Sequence, residues 1–277
     1  AGNIGDWTSP FSVLIDTTPP EVPILSAPIN GAATNQMTVT FEWTPSVDTG
    51  GAGTKEYQLW VSTDNNFGVI NLDATTVQLK LDATLSQATY YWQVRARDYA
   101  GNISDWSSPF SVLIDTTPPT VPELVSPINQ ATTNQMTITF EWTVSVDSGP
   151  YGSSGVKNYE LQVSTDNNFV QLNYSTTTVQ LKLDATIEQE GQCYWRVRTS
   201  DKVDNYSDWS GYYSLTIDTS APRIVNNQSG DNEWQKSPGK SYNVDFFDEL
   251  SKLDFVQYRI STSTVISDEG AVIKQWT

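Results

Sequence analysis

The chain contains no histidine, a single cysteine and only two methionines in 277 residues. Without histidine or a second cysteine, the common nucleophile–base pairs and zinc sites cannot be assembled. The lone thiol also excludes an internal disulfide framework. Basic residues are few: 15 Lys+Arg face 32 Asp+Glu, a formal net charge of -17. No basic surface is therefore available to displace counterions from nucleic-acid phosphates, or to dock on an anionic membrane. Apolar runs never approach the ~20 residues that a membrane helix needs. Carboxylate-pair hydrolysis survives these exclusions. It asks for two carboxyls facing each other across a cleft, one of them in an apolar pocket, whereas the recurrent acids here fall in turn-like segments.

What is present is a repeat. Residues 1–20, AGNIGDWTSPFSVLIDTTPP, return at 100–119 as AGNISDWSSPFSVLIDTTPP. TNQMTVTFEWT at 34–44 returns at 133–143, and VSTDNNF at 61–67 returns at 163–169, an insertion around PYGSSG (150–155) having shifted the register. TTVQLKLDAT (75–84) matches 177–186, and YYWQVRARD (90–98) matches CYWRVRTSD (193–201). A diverged third tail, DNYSDWSGYYSLTIDTSAP, covers 204–222. The expected organisation is a terminal strand of a preceding module at 1–18, full modules at 19–117 and 118–220, and an incomplete module at 221–277. Asp-Thr-Thr-Pro-Pro punctuates the joints. Proline fixes φ and biases its predecessor toward extended backbone, so short, stiff linkers are expected.

Within each full module apolar residues alternate with period two. Tyr57, Leu59 and Val61 share one face, as do Tyr90, Trp92, Val94 and Ala96. About seven short strands per ~100 residues predict an all-β fold of tandem antiparallel sandwiches, elongated overall. Trp43, Trp92, Trp142 and Trp195 fall in the core phase. Trp7, Trp106 and Trp209 are expected to cap a sandwich end. Cys193, on the face of Trp195 and Val197, reads as a buried thiol packing as a small hydrophobe.

The FEW strands (Trp43, Trp142), the Y-x-L-x-V strands and YYW-x-V-R-A-x-D followed by GNxSxWS resemble fibronectin type III-like modules strung together in large bacterial surface proteins. The last 57 residues resemble a bacterial immunoglobulin-like module more loosely. The resemblance implies extracellular, cell-surface spacers, adhesins or surface-layer components, and no catalytic residues. Cys193 departs from it, standing where Tyr90 stands one module earlier.

Two groups of residues are candidates for binding. In such sandwiches the loops after the FEW and YYW strands lie at the end where the preceding linker enters. That gathers Asp16, Asp48 and Asp98 at one joint, and Asp115, Asp147 and Asp201 at the next. Three carboxylates with carbonyls and water meet the six to eight oxygens of calcium. The same residues would also serve simply as Asx turns and linker caps. Trp60 falls out of core phase, with Tyr91 on the same outer face; together they could meet a sugar ring or a neighbouring molecule, or be ordinary surface aromatics. Asn-x-Ser/Thr occurs at Asn102, Asn173 and Asn205, a glycosylation signal only in a glycosylating host. Three roles stay open at this point: a non-enzymatic structural segment, a glycan- or protein-binding adhesive module, and a subunit of a filament or lattice built from copies of the same protein by strand donation.

Overall fold

The computed structural model describes residues 2, 4–226, 244–253, 256–259 and 272–276. Among these the regular structure is entirely β. The first repeat contains β1 (Leu25–Ala27), β2 (Ala32–Thr34), β3 (Thr38–Trp43), β4 (Thr54–Ser62), β5 (Leu72–Thr76), β6 (Lys80–Thr84), β7 (Ala88–Asp98) and β8 (Phe110–Ile114). They form a three-stranded sheet, β1-β3-β6, and a five-stranded sheet, β2-β8-β7-β4-β5. All pairs are antiparallel except β2 with β8, which run parallel.

The second repeat reproduces this plan with β9 (Leu124–Ser126), β10 (Ala131–Thr133), β11 (Thr137–Trp142), β12 (Val156–Ser164), β13 (Leu172–Thr178), β14 (Lys182–Thr186), β15 (Gly191–Asp201) and β16 (Tyr213–Ile217). Its sheets are β9-β11-β14 and β10-β16-β15-β12-β13. Two antiparallel pairs follow: β17 (Arg223–Asn226) with β18 (Val244–Phe247), and β19 (Val256–Arg259) with β20 (Val272–Trp276). Much of the expected last module lies outside the described residues.

Period-two alternation decides which side chains enter each core, because successive Cβ atoms point to opposite sheet faces. In β7 the inward set is Tyr90, Trp92, Val94 and Ala96; in β15 it is Cys193, Trp195 and Val197. Trp92 stands edge-on to Phe41, with ring centroids 5.0 Å apart, and Trp195 to Phe140 at 5.1 Å. This near-perpendicular geometry matches the ring quadrupoles while filling the space between the sheets. Cys193 is buried, and burial pushes its thiol up to about 11, so it packs as a hydrophobe. Tyr90, its counterpart, is also buried and meets the Ser86 hydroxyl through its own.

Packing divides the chain into two compact units. One holds 1–120 with 146–157 and 200–207; the other holds 121–145, 158–199 and 208–277. The loops that begin and end the second repeat's long central strands therefore pack with the first repeat and the linker that follows it. Residues 4–18 carry no strand, although 11–15 repeat the sequence of β8.

Candidate metal centre at the linker aspartates

Each linker aspartate is a two-handed clamp. Asp16 accepts the Thr18 N–H on Oδ1, an Asx turn that stiffens its own linker, and the Ala52 N–H on Oδ2. Asp115 does the same with Thr117 and Ser154. The motif recurs at a third joint, where Asp218 accepts from Ser220 and Ser251. A Cβ at Gly50 would meet the Asp16 carboxylate, so a larger residue there must displace the clamp.

The second member of each set comes from the loop after the FEW strand. Asp48 accepts the Gly50 N–H on Oδ1 and the Gly53 N–H on Oδ2. Asp147 accepts the Gly155 N–H on Oδ2, while its buried Oδ1 closes no full hydrogen bond. The Ser154 hydroxyl, also without a full hydrogen bond, lies near enough to draw the Asp147 pKa down.

The third member ends the long central strand. Asp98 accepts the Gly101 and Asn102 N–H groups on Oδ1 and the Asn102 amide on Oδ2. Asp201 accepts from Val203, Asn205 and the Asn205 amide in the same way. The same Asn102 and Asn205 amides reach across to the carbonyl oxygens of Asp16 and Asp115, tying linker to loop.

These arrangements bring one carboxylate oxygen from each of Asp16, Asp48 and Asp98 within 4.8 Å of one another, and likewise for Asp115, Asp147 and Asp201. Oxygens that share a calcium ion at 2.3–2.6 Å lie at most about 5 Å apart, so both sets have the right span. Asp98, Asp115 and Asp201 have no exposed surface. Among the described residues none of the six carboxylates is in an ion pair with Lys or Arg. The hydrogen bonds named above come from neutral N–H donors, which cancel no charge; the Lys157 charge acts on Asp201, and each carboxylate keeps spare lone pairs.

The electrostatics differ between the sets. Burial pushes the Asp98 carboxyl up, but the Asn102 side chain and the Asn102, Gly101 and Ala100 N–H groups outweigh it and hold the pKa below the ordinary aspartate value. Asp147 goes the other way. Burial raises it, the charges of Asp115 and Asp201 add to the rise, and the Gly155 N–H only partly offsets them.

The aromatic candidates sit elsewhere, on the outer face of the five-stranded sheets. Trp60 is opposite Gln93, and Tyr91 is opposite Ser62, so the two lie on a diagonal rather than side by side. Trp60 stacks instead on Trp106, with centroids 4.3 Å apart, and Arg95 lies over both rings. In the second repeat Arg196 is held between Phe169 and Trp209, at 4.0 and 4.2 Å from their centroids, and Arg198 also covers Trp209. Trp106 and Trp209 therefore do not cap a sandwich end, as their position before the last strand suggests. The DW segment runs back over the outer face, and the outward arginines of β7 and β15 draw the indoles onto them through cation–π attraction. Trp7 is 97% exposed.

Residues whose part is not evident from strand phase are the asparagines and the linker grips. Asn102 and Asn205 look like glycosylation signals, yet their amide nitrogens are spent on the clamps. Gln87 accepts both Thr116 and Thr117 hydroxyls, and Glu190 accepts from Thr219 and Ser220. The shared spacing from Asp98 to Asn102 and from Asp201 to Asn205 is the signal that could have found the first pair.

Residues 28–114, which span β2 to β8, match the family described as the Rha78A-like, N-terminal immunoglobulin domain. The chain carries tandem fibronectin type III/immunoglobulin-like repeats. It is similar to Exoglucanase B of Cellulomonas fimi, 28% identical over 225 residues, covering 79% of this chain and 19% of that protein. It is also similar to Endoglucanase B of Cellulomonas fimi, 34% identical over 155 residues, covering 53% and 14%. The chain thus spans a fifth or less of the length of these relatives. Among solved structures, the fibronectin(III)-like modules of Clostridium thermocellum CbhA align at 14% identity with a TM-score of 0.42, covering 70% of this chain and 93% of that one.

Proposed function

We propose that the chain is a non-catalytic spacer segment of an extracellular bacterial protein whose joints are set by calcium held on the linker aspartates. The observation that carries this reading is the duplication of the Asp triad. Linker, first loop and central strand each supply one carboxylate, twice, at matching positions. A single acidic cluster is ordinary; two built on one plan, each bound to the linker's own backbone, tie cation binding to linker geometry. The function is mechanical. Each repeat buries its own core, and the clamps fix how the chain enters the next one. Expected behaviour is saturable calcium uptake by the whole chain with a rise in melting temperature that chelator reverses. Titration calorimetry giving no heat, with an unchanged melting point in chelator, overturns the calcium reading.

A second reading of the surrounding protein is favoured by the alignment with two glucanases: spacer modules within a polysaccharide-degrading enzyme rather than a surface stalk or adhesin. Sedimentation with insoluble cellulose separates a silent spacer from a carbohydrate-binding module. A spacer stays in the supernatant, and a Trp60→Ala control reports on the outer-face aromatics if it does not.

A further inference from the structure

The two triads share a plan but differ in the oxygens around them. In the first, both Asp48 oxygens are taken by N–H groups, those of Gly50 and Gly53. The residue whose N–H meets the linker carboxylate there is Ala52, which offers no side-chain oxygen. In the second, that place belongs to Ser154, whose N–H meets Asp115 Oδ2. The Ser154 hydroxyl is shut off from solvent and completes no hydrogen bond, and the same holds for Asp147 Oδ1. The hydroxyl nonetheless lies close enough to the Asp147 carboxyl to draw its pKa down. Ser154 thus stands between Asp115, held by its N–H, and Asp147, reached by its hydroxyl.

Polar atoms buried in this way are normally matched, because leaving them unmatched forfeits their hydration. A water molecule could match both oxygens, but three carboxylates would still converge within 4.8 Å with their charge intact. A divalent cation meets both needs at once, and calcium takes neutral oxygens alongside carboxylates. We propose that the Ser154 hydroxyl and Asp147 Oδ1 are ligands of the second calcium site, and that this site is the tighter of the two and fills first. The inference rests on the calcium reading of the triads and adds which atoms rank them. The loop holds these ligands in place by its own bonds, from the Ser153 hydroxyl to the Asp147 carbonyl and from the Gly155 N–H to Asp147 Oδ2. At the first site Ala52 supplies nothing, and a recruited water must stand where the hydroxyl stands at the second. A fixed protein oxygen costs less ordering on binding than a recruited water.

Calcium titration calorimetry on the full chain at pH 7 tests this, with each site isolated in turn. Asp16→Asn leaves the second site and Asp115→Asn leaves the first. The former chain is expected to bind calcium about tenfold more tightly, the low end of what supporting contacts contribute to a metal site. Within Asp16→Asn, Ser154→Ala should weaken binding by the same factor, and Ser154→Thr, which keeps the hydroxyl, should restore it. In chelator, Ser154→Ala should leave the melting temperature unchanged, since the hydroxyl completes no bond that its loss would break. Equal affinity of the two single-site chains, or calcium uptake indifferent to Ser154→Ala, overturns the assignment and leaves the calcium reading standing. A Ser154→Ala chain that melts lower in chelator also overturns it, because the hydroxyl is then structural. No calcium heat from the unaltered chain overturns that reading and this inference together.

Discussion

The two repeats share a core and differ on their outer faces and at their joints. Inside, Phe41 with Trp92 and Phe140 with Trp195 are superimposable solutions to one packing problem. Outside, the first repeat stacks Trp60 on Trp106 under one arginine. The second has Gln162 at the Trp60 position, where it accepts hydrogen bonds from Arg196, and it interleaves Arg196 and Arg198 with Phe169 and Trp209, with Arg198 salt-bridged to Glu160 at 2.7 Å. At the joints, Asp48 has both oxygens bonded to N–H groups, whereas Asp147 has one buried oxygen left over and two like charges beside it. A core fixed by volume tolerates little change, while an outer face held by stacking admits several equivalent sets of partners.

The largest expected effect tests the shared part. Trp92→Ala and Trp195→Ala each open a cavity at the centre of a sandwich and should cost about 3–5 kcal/mol, with closely similar losses in denaturant titrations. A large inequality between them would show that the two cores are not equivalent.

Next come the joints. Asp16→Asn should remove calcium stabilisation at the first triad only, and Asp115→Asn at the second only. At calcium a hundredfold above its dissociation constant, each should forfeit about 2.7 kcal/mol of ligand-linked stability. Gly50→Ala should mimic Asp16→Asn, because the added methyl displaces the Asp16 carboxylate. Calcium binding that survives both aspartate changes would break the assignment.

The outer faces should matter less. Trp60→Gln gives the first repeat the residue of the second and should cost about 1 kcal/mol, the worth of one aromatic pair. Smallest is the acid limb. Backbone N–H groups of Asn66 and Gly68 hold the Asp64 carboxyl below the ordinary 3.8. A depressed carboxylate contributes stability that is present above 3.8 and lost as pH falls through its lower folded value. Asp64→Asn should therefore flatten the fall in melting temperature below about pH 4 while leaving pH 7 binding untouched.

Much of this was legible in the sequence. Repeats give modules, period-two alternation gives Trp92 and Trp195 inside, and loop order gives both Asp triads. What strand phase cannot supply is the path of an irregular segment. The DW stretch lacks alternation, so nothing local says that Trp106 folds back onto Trp60 instead of capping an end. Nor does phase reveal that Asn102 and Asn205 spend their amides on a linker carbonyl some 86 and 90 positions away in sequence. Those bonds depend on where two loops and a linker converge, which only the assembled sandwich decides.

The most direct measurement is the melting temperature of Asp147→Asn against the unaltered chain at pH 7, in chelator and in calcium. Because the Asp147 pKa is raised, its ionised form is a cost at neutral pH when no cation is bound; that cost appears as pH rises from 3.8 through the folded value. The variant should melt higher than the unaltered chain in chelator and lower in calcium, so the order of the two reverses. An order that stays the same in both buffers would contradict a cation-bearing joint.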